Sequence, residues 1–245
     1  MASESTWKDK VRGFLPWKVY WILKRFREEV RASTSEGDLT ALAKVYKTDK
    51  WGHHYYTPVY EQWFRPLRHK PITLLEIGVG GYAKPRHGGD SLRMWKRYFE
   101  KGNIIGLDLY DKSSLEERRI KLCQGDQTDS RLLRQIHDEA GPIHIVIDDG
   151  SHIQSHIIAS FEALFPLMPA GAIYVIEDTQ TSYWQKFEGS TSSLDTAPTA
   201  MNYFIQRVHT VNRSEWIKEE TPPEIPDQGI ASVSFYHNLI FVTKA

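Results

Sequence analysis

Short apolar runs that alternate with helical segments restrict the fold more strongly than any other feature of this chain. Five runs have this character, and they cover residues 72–79, 103–110, 120–126, 143–149 and 172–178. Three segments of helical character lie between them, near residues 90–100, 129–139 and 153–168. Apolar runs of this length without polar alternation are typical of buried parallel strands. Strands that alternate with helices predict a doubly wound α/β sheet.

The C-terminal part adds two further strands to this plan. A helix is predicted at residues 197–211, and strands at 231–238 and 239–245 are joined by a tight turn at Asn238. The sequence therefore predicts a mostly parallel, seven-stranded sheet with an antiparallel C-terminal hairpin and the Rossmann-like order of elements.

The N-terminal part differs in character from the predicted sheet. Helices are predicted at residues 16–31 and 38–46, and the polar, aromatic stretch 47–57 has no clear period and is interpreted as a loop. We expect a helical segment at 1–66 and a ligand-binding domain at 67–245. The aromatic and basic stretch 15–27 suits a helix that packs on its own domain or on a second subunit, and its composition also suits a membrane interface.

Composition excludes some classes of function. Lys and Arg together number 31, as do Asp and Glu, so no bulk positive charge attracts nucleic acid. Cys123 is the sole cysteine, which rules out an intramolecular disulfide and favours a reducing, cytoplasmic location. No apolar run approaches the roughly 20 residues of a membrane-spanning helix.

Glycines and acids follow the first three strands. Glu76, Gly78 and Gly80 end the first strand, Asp108 ends the second, and Asp126-Gln127 follow the third. Ligands of open α/β sheets bind beyond the carboxyl ends of the strands, where glycines allow close approach and an acid commonly binds ribose hydroxyls. This pattern predicts a nucleoside ligand, although the glycines could simply form a strand-to-helix turn. The third glycine of the nicotinamide motif is missing.

Paired acids end two later strands, namely Asp148-Asp149 and Glu177-Asp178. Strand ends of a parallel sheet lie side by side, and clustered carboxylates repel unless a cation is present. Oxygen ligands favour Mg2+ or Ca2+ over zinc. Successive side chains of a strand point to opposite faces, so strand geometry alone does not make all four acids ligands. His152 follows closely and could act as a general base, or it could be structural.

The order E-x-G-x-G, an acid about thirty residues later, then G-D-x resembles the class I methyltransferases, which use S-adenosylmethionine. The resemblance implies that Gly78 and Gly80 pass under the cofactor and that Asp108 binds the ribose. The remaining residues of the implied cofactor site are Asp126 and Gln127 at the adenine, Glu76 and Ser91 at the methionine end, and Asp148.

The sequences D-D-G-S-H and E-D-T sharpen the match, because together they resemble the metal-dependent sugar O-methyltransferases of macrolide and glycolipid pathways. This implies that Asp149, Glu177 and Asp178 bind Mg2+ and that His152 is the base. The resemblance covers residues 40–190 and implies a lid over the site, a homo-oligomer, and a small-molecule, oligosaccharide or glycolipid acceptor. Three alternatives stay open: a catechol-like acceptor, a nicotinamide-dependent oxidoreductase, and a binding module without activity.

Overall fold

The computed structural model describes residues 17–35, 37–217 and 225–245. The chain divides into two units, Met1–Phe64 and Arg65–Ala245. The sequence placed this division two residues later, between residues 66 and 67.

Three helices make up the described part of the first unit: α1 (Trp17–Ser33), α2 (Leu39–Tyr46) and α3 (Thr57–Phe64). The Asp38 carboxylate accepts a hydrogen bond from the N–H of Ala41 at 2.8 Å and so caps the start of α2. Helix α3 was not predicted from the sequence. It buries Tyr60 and Phe64, whose spacing of four places both rings on one face.

Helix α1 exposes an apolar face. The helical period places its exposed apolar side chains on one face: Val19, Ile22, Leu23, Phe26 and Val30. Glu28 and Ala32 lie on a different face and are buried. Within the described ranges, no helix combines the length and the apolar character that a membrane span needs.

The second unit is built on one seven-stranded sheet. Its strands are β1 (Thr73–Ile77), β2 (Asn103–Asp108), β3 (Ile120–Gln124), β4 (Ile145–Asp148), β5 (Ile173–Glu177), β6 (Ile230–Tyr236) and β7 (Leu239–Lys244). Their order across the sheet is β3-β2-β1-β4-β5-β7-β6. The first five are mutually parallel, and β7 pairs antiparallel with both β5 and β6. The predicted fold class is confirmed.

An α-helix lies between β1 and β2, β3 and β4, β4 and β5, and β5 and β6, whereas a 3-10 turn (Ser113–Leu115) lies between β2 and β3. These helices are α4 (Asp90–Tyr98), α5 (Ser130–Ala140), α6 (Gln154–Leu164) and α7 (Ala200–Arg207). The segment predicted at 153–168 is α-helical only to Leu164, because Pro166 lacks an N–H and the chain continues as a 3-10 turn. The β6–β7 turn is formed by His237 and Asn238, and Asn238 has a left-handed backbone with φ 61°.

Strand register brings the functional strand ends together. Ile77 pairs with Leu107 on one side and with Asp148 on the other, and Asp148 pairs with Ile176. The residues that follow each of these partners therefore form a row along the carboxyl edge: Asp108, Gly78, Asp149 and Glu177. Apolar side chains on both faces of the central strands are buried, which holds this edge rigidly in place.

Candidate active site

Three carboxylates from three adjacent strands converge at the carboxyl edge. One oxygen each of Glu76, Asp149 and Glu177 lies within 4.8 Å of the others. Glu76 is fully buried and Glu177 is 2% exposed. Buried carboxylates at this separation repel each other strongly unless a cation binds between them. The resemblance implies only a cofactor contact for Glu76, because the pairing of β1 with β4 is not visible in the chain order.

A second group of candidate ligands shares Asp149 with the first. It consists of Asp149, His152 and Asp178, whose ligand atoms also lie within 4.8 Å of one another. The His152 Nε2 is 3.7 Å from Asp178 Oδ2 and 4.0 Å from Asp149 Oδ1. His152 and Asp178 both have left-handed backbones, with φ of 58° and 54°. We call these two left-handed residues the His152 corner and the Asp178 corner. Each lies where the chain leaves the sheet, and each directs its side chain towards the acidic cluster.

The donor set fits a hard divalent cation. All three carboxylates predicted as metal ligands, those of Asp149, Glu177 and Asp178, belong to one or the other of these two groups. Carboxylate oxygens are the ligands that Mg2+ and Ca2+ prefer, and Mg2+ is commonly bound by few carboxylates together with water and substrate oxygens.

Asp148 and Asp149 point to different sides of the sheet, as strand alternation predicts. The Asp148 carboxylate is 1% exposed and accepts hydrogen bonds from Ser160 Oγ at 2.5 Å, Gln127 Nε2 at 3.1 Å and Tyr174 Oη at 3.3 Å. Burial raises the pKa of this carboxyl, and the hydrogen bonds act against that rise. Asp148 thus bonds with the protein interior and is not part of either acidic group.

Gln127 also directs its side chain inward. Its Nε2 donates to Asp148, and its Oε1 accepts from the backbone N–H of Ser151 at 2.8 Å. It therefore anchors the turn that carries His152. The cofactor contacts assigned to Asp148 and Gln127 remain predictions, and these interior bonds give each residue a role in holding the edge.

The glycine loop leaves space on one side only. A Cβ atom at Gly78 would lie 2.0 Å from the carbonyl oxygen of Asp149, whereas at Gly80 the nearest atom would be 4.0 Å away. Beside the loop, the Asp108 carboxylate accepts from the N–H of Val79 and of Tyr110, each at 2.9 Å. A half-buried acid beside open space at Gly80 fits a ribose diol, and Asp108 retains further acceptor capacity.

The other predicted cofactor residues border the same edge. Ser91 Oγ donates to Glu76 Oε2 at 2.9 Å, which links the start of α4 to the central strand. Asp126 accepts from both the N–H and the hydroxyl of Thr128 at 2.8 Å, and the N–H bond lowers its pKa. Asp126 therefore stays ionised in the turn that follows β3.

Strand order, the glycine loop after β1 and the acidic strand ends together define the fold of the class I methyltransferases. No model of a known protein family matches the chain. Individual proteins do match. The chain is 45% identical over 207 residues to 8-demethyl-8-alpha-L-rhamnosyl tetracenomycin-C 2'-O-methyltransferase of Streptomyces olivaceus, which covers 84% of this chain and 54% of the relative. It is 43% identical over 209 residues to mycinamicin VI 2''-O-methyltransferase of Micromonospora griseorubida, covering 84% and 52%.

A solved structure gives the same result. A methyltransferase from the mycinamycin biosynthetic pathway, in complex with Mg and SAH, superposes with a TM-score of 0.79 at 42% identity, covering 84% of this chain and 53% of that one. Over 84% of its length the chain is therefore similar to sugar O-methyltransferases of macrolide and tetracenomycin pathways, and the predicted resemblance is confirmed. The chain spans about half the length of the curated relatives that it matches.

Proposed function

We propose that this protein is a Mg2+-dependent O-methyltransferase that transfers the methyl group of S-adenosylmethionine to a sugar hydroxyl of a glycosylated small molecule. The observation that carries the proposal is the convergence of Glu76, Asp149 and Glu177 beside His152, at the same sheet edge as the glycine loop. The rhamnosyl and mycinamicin acceptors in the names of the relatives, and the Mg and SAH of the solved structure, support the acceptor and both cofactors.

Each group of residues has a distinct task in this proposal. Asp149, Glu177 and Asp178 hold the cation, and the buried carboxylate of Glu76 adds negative charge beside it. Gly78, Gly80, Ser91, Asp108 and Asp126 form the cofactor site. When bound, Mg2+ would polarise the acceptor hydroxyl and S-adenosylmethionine would supply the methyl group.

His152 removes the proton of the acceptor hydroxyl through Nε2. The carboxylates of Asp178 and Asp149, at 3.7 and 4.0 Å, stabilise the positive charge that the ring gains. The ring packs edge-on against Phe187, with centroids 6.4 Å apart, which limits its rotation. The His152 ring is thus held in one position while it removes the proton. Positioning of this kind contributes much of the rate of a displacement reaction.

Exposed aromatic side chains follow the metal-binding corner. Tyr183 and Trp184 are 41% and 46% exposed and lie within six residues of Asp178. Flat rings can pack against the apolar face of a sugar, and they can also stack on a catechol. A comparison of glycoside and catechol acceptors under equal conditions separates these two acceptor classes, and turnover of the catechol alone would exclude the sugar.

Replacement of the base tests the mechanism. His152→Ala is expected to lower kcat about 100- to 10,000-fold, the range typical of general-base catalysis. The affinity for S-adenosylhomocysteine, measured by calorimetry, should stay within about twofold if the residue acts on the acceptor alone. His144→Ala is the matched control, since His144 precedes the same strand β4 at the opposite edge. Equal activity of both variants would remove His152 from the mechanism.

We also propose that the protein is a cytoplasmic homo-oligomer. The exposed apolar face of α1 supports self-association, because large apolar patches on soluble proteins commonly mark interaction sites. Ile22→Glu with Phe26→Glu is expected to convert the oligomer to a monomer in light scattering coupled to size exclusion. A wild-type protein that is monomeric at all concentrations would contradict this part of the proposal.

A further inference from the structure

Two strained backbone corners carry the most important side chains of the proposed site. His152 and Asp178 are not glycines, yet both have left-handed φ angles, of 58° and 54°. An L residue adopts this conformation at a free-energy cost, and it persists only where neighbouring groups hold it.

One buried amide contacts the His152 corner directly and is linked to the Asp178 corner through Thr181. Gln154, the first residue of α6, is fully buried. Its Nε2 donates to the carbonyl oxygen of His152 at 3.1 Å and to Thr181 Oγ1 at 3.2 Å. Its Oε1 accepts from Ser182 Oγ at 2.8 Å and from the N–H of Ala200 at 2.9 Å. The amide therefore uses both of its donors and accepts two hydrogen bonds.

The orientation of this amide is determined by its partners. The carbonyl of His152 can only accept a hydrogen bond, and the backbone N–H of Ala200 can only donate one. If the amide were flipped, its NH2 group would face the N–H of Ala200 and its oxygen would face the carbonyl oxygen of His152. Neither contact could then be a hydrogen bond. Glutamine is thus matched to the position, whereas glutamate of the same shape would lack the donors.

The second corner is reached through a hydroxyl. Thr181 accepts from Gln154 and donates its Oγ1 proton to the carbonyl oxygen of Asp178 at 2.8 Å. Thr181 is 2% exposed, so water does not readily replace this bond. A continuous chain of three hydrogen bonds therefore runs from the carbonyl of His152 to the carbonyl of Asp178.

We infer that Gln154, acting with Thr181, is a positioning residue that sets the distance between the proposed base and the metal-binding corner. This inference rests on the proposed function. Neither side chain touches a reacting atom. Together they keep the His152 and Asp178 corners in left-handed geometry, so that Nε2 and Oδ2 stay 3.7 Å apart. The network forms no part of the cofactor site, so it should affect metal binding and turnover without affecting the nucleoside.

Isosteric removal of one hydroxyl tests this inference. Thr181→Val should lower kcat and the affinity for Mg2+, titrated as magnesium chloride, by about 10- to 100-fold, the range typical of residues that orient metal ligands. The affinity for S-adenosylhomocysteine should change less than about twofold. Thr181→Ser retains the hydroxyl and should restore both values to near wild type. Gln154→Ala should repeat the loss seen in Thr181→Val.

A matched control separates positioning from stability. Thr210 Oγ1 donates to the carbonyl of Arg207 at 2.7 Å, the same three-residue geometry, and is 5% exposed. Thr210→Val should therefore lose comparable thermal stability but retain kcat and Mg2+ affinity. If Thr181→Val matched Thr210→Val in all three measurements, the positioning role would be wrong.

A crystal structure of Thr181→Val distinguishes this failure from failure of the proposed function. A changed φ at Asp178 and a longer Nε2–Oδ2 distance support the positioning role even where the wild-type protein methylates no acceptor. An unchanged corner overturns the role even where the wild-type protein is an active methyltransferase.

Discussion

Among single residues, Gly78 and Gly80 after β1 are glycines for different physical reasons. Gly78 has φ 92°, and a Cβ there would lie 2.0 Å from the carbonyl oxygen of Asp149. Gly80 has φ 78° but faces open space, with no atom nearer than 4.0 Å. Gly78 thus permits β1 and β4 to approach at the acidic edge, whereas Gly80 leaves a surface on which a ligand can lie.

Alanine at each position should reveal this difference in the protein without ligands. Gly80→Ala should cost about 1–2 kcal/mol, from left-handed strain alone. Gly78→Ala adds a backbone clash and should cost about 3–5 kcal/mol. Urea unfolding measures both. If both variants lost the same free energy of unfolding, the backbone would relax the clash at residue 78 without cost. The close approach of β1 and β4 would then not require glycine at this position.

At the scale of elements, the loop after β1 is fastened to the connection after β2. Lys112 is 1% exposed, and its ammonium group donates to the carbonyl oxygens of Tyr82, Lys84 and His87, the last two at 3.0 and 3.1 Å. All three donors are thereby used. Burial lowers the pKa of Lys112, while the charge of Asp108 acts in the opposite direction.

Removal of this ammonium should loosen the loop. Lys112→Met leaves three carbonyls without their donor, and hydrogen bonds to charged groups are worth about 1.5–3 kcal/mol each. We expect trypsin to cleave after Arg86 at least tenfold faster, as followed by mass spectrometry, because cleavage reports local opening. Lys121→Met, which removes an exposed pair with Glu139, should leave this rate unchanged. If Lys112→Met did not change the rate of cleavage after Arg86, contacts other than those of Lys112 would hold the loop in place.

At the scale of the whole molecule, balanced charge hides a local imbalance. The chain has 31 basic and 31 acidic residues, yet Glu76, Asp149 and Glu177 meet at one sheet edge. Their repulsion destabilises the folded state when no cation is bound. A cation that binds only the folded state therefore raises its stability by mass action.

Magnesium should stabilise the fold measurably. At a concentration about 100 times Kd, the gain is about 2.7 kcal/mol, which corresponds to roughly 5–10 °C in Tm for a domain of this size. Thermal scans with magnesium chloride, and with EDTA added, measure the shift. Glu177→Gln should reduce it strongly. Sodium chloride of equal ionic strength is the control, and a shift of the same size in that salt would exclude a specific site.

Much of the fold could be predicted from local pattern. Apolar runs ended by glycines or acids located the parallel strands. The side-by-side strand ends placed the paired acids and His152 at one site, and the motif resemblance then gave each of them a role. Helix α3 escaped prediction because it follows directly on the polar, aromatic stretch 47–57, which has no clear period and is interpreted as a loop. Gln154 escaped it because a lone glutamine at a helix start has no motif, and its role depends on four partners from separate segments.

Hydrophobic period, turn chemistry and residue type along the chain are enough to predict the succession of strands and helices, the glycine loop and the acids at the strand ends. Which of these acids meet depends on how the strands pair in the folded sheet. Strand pairing placed Glu76 beside Asp149 and Glu177, and side-chain alternation turned Asp148 inward to Ser160 and Gln127. The physical reason is that register and facing are properties of neighbouring strands, which no single segment of the chain contains.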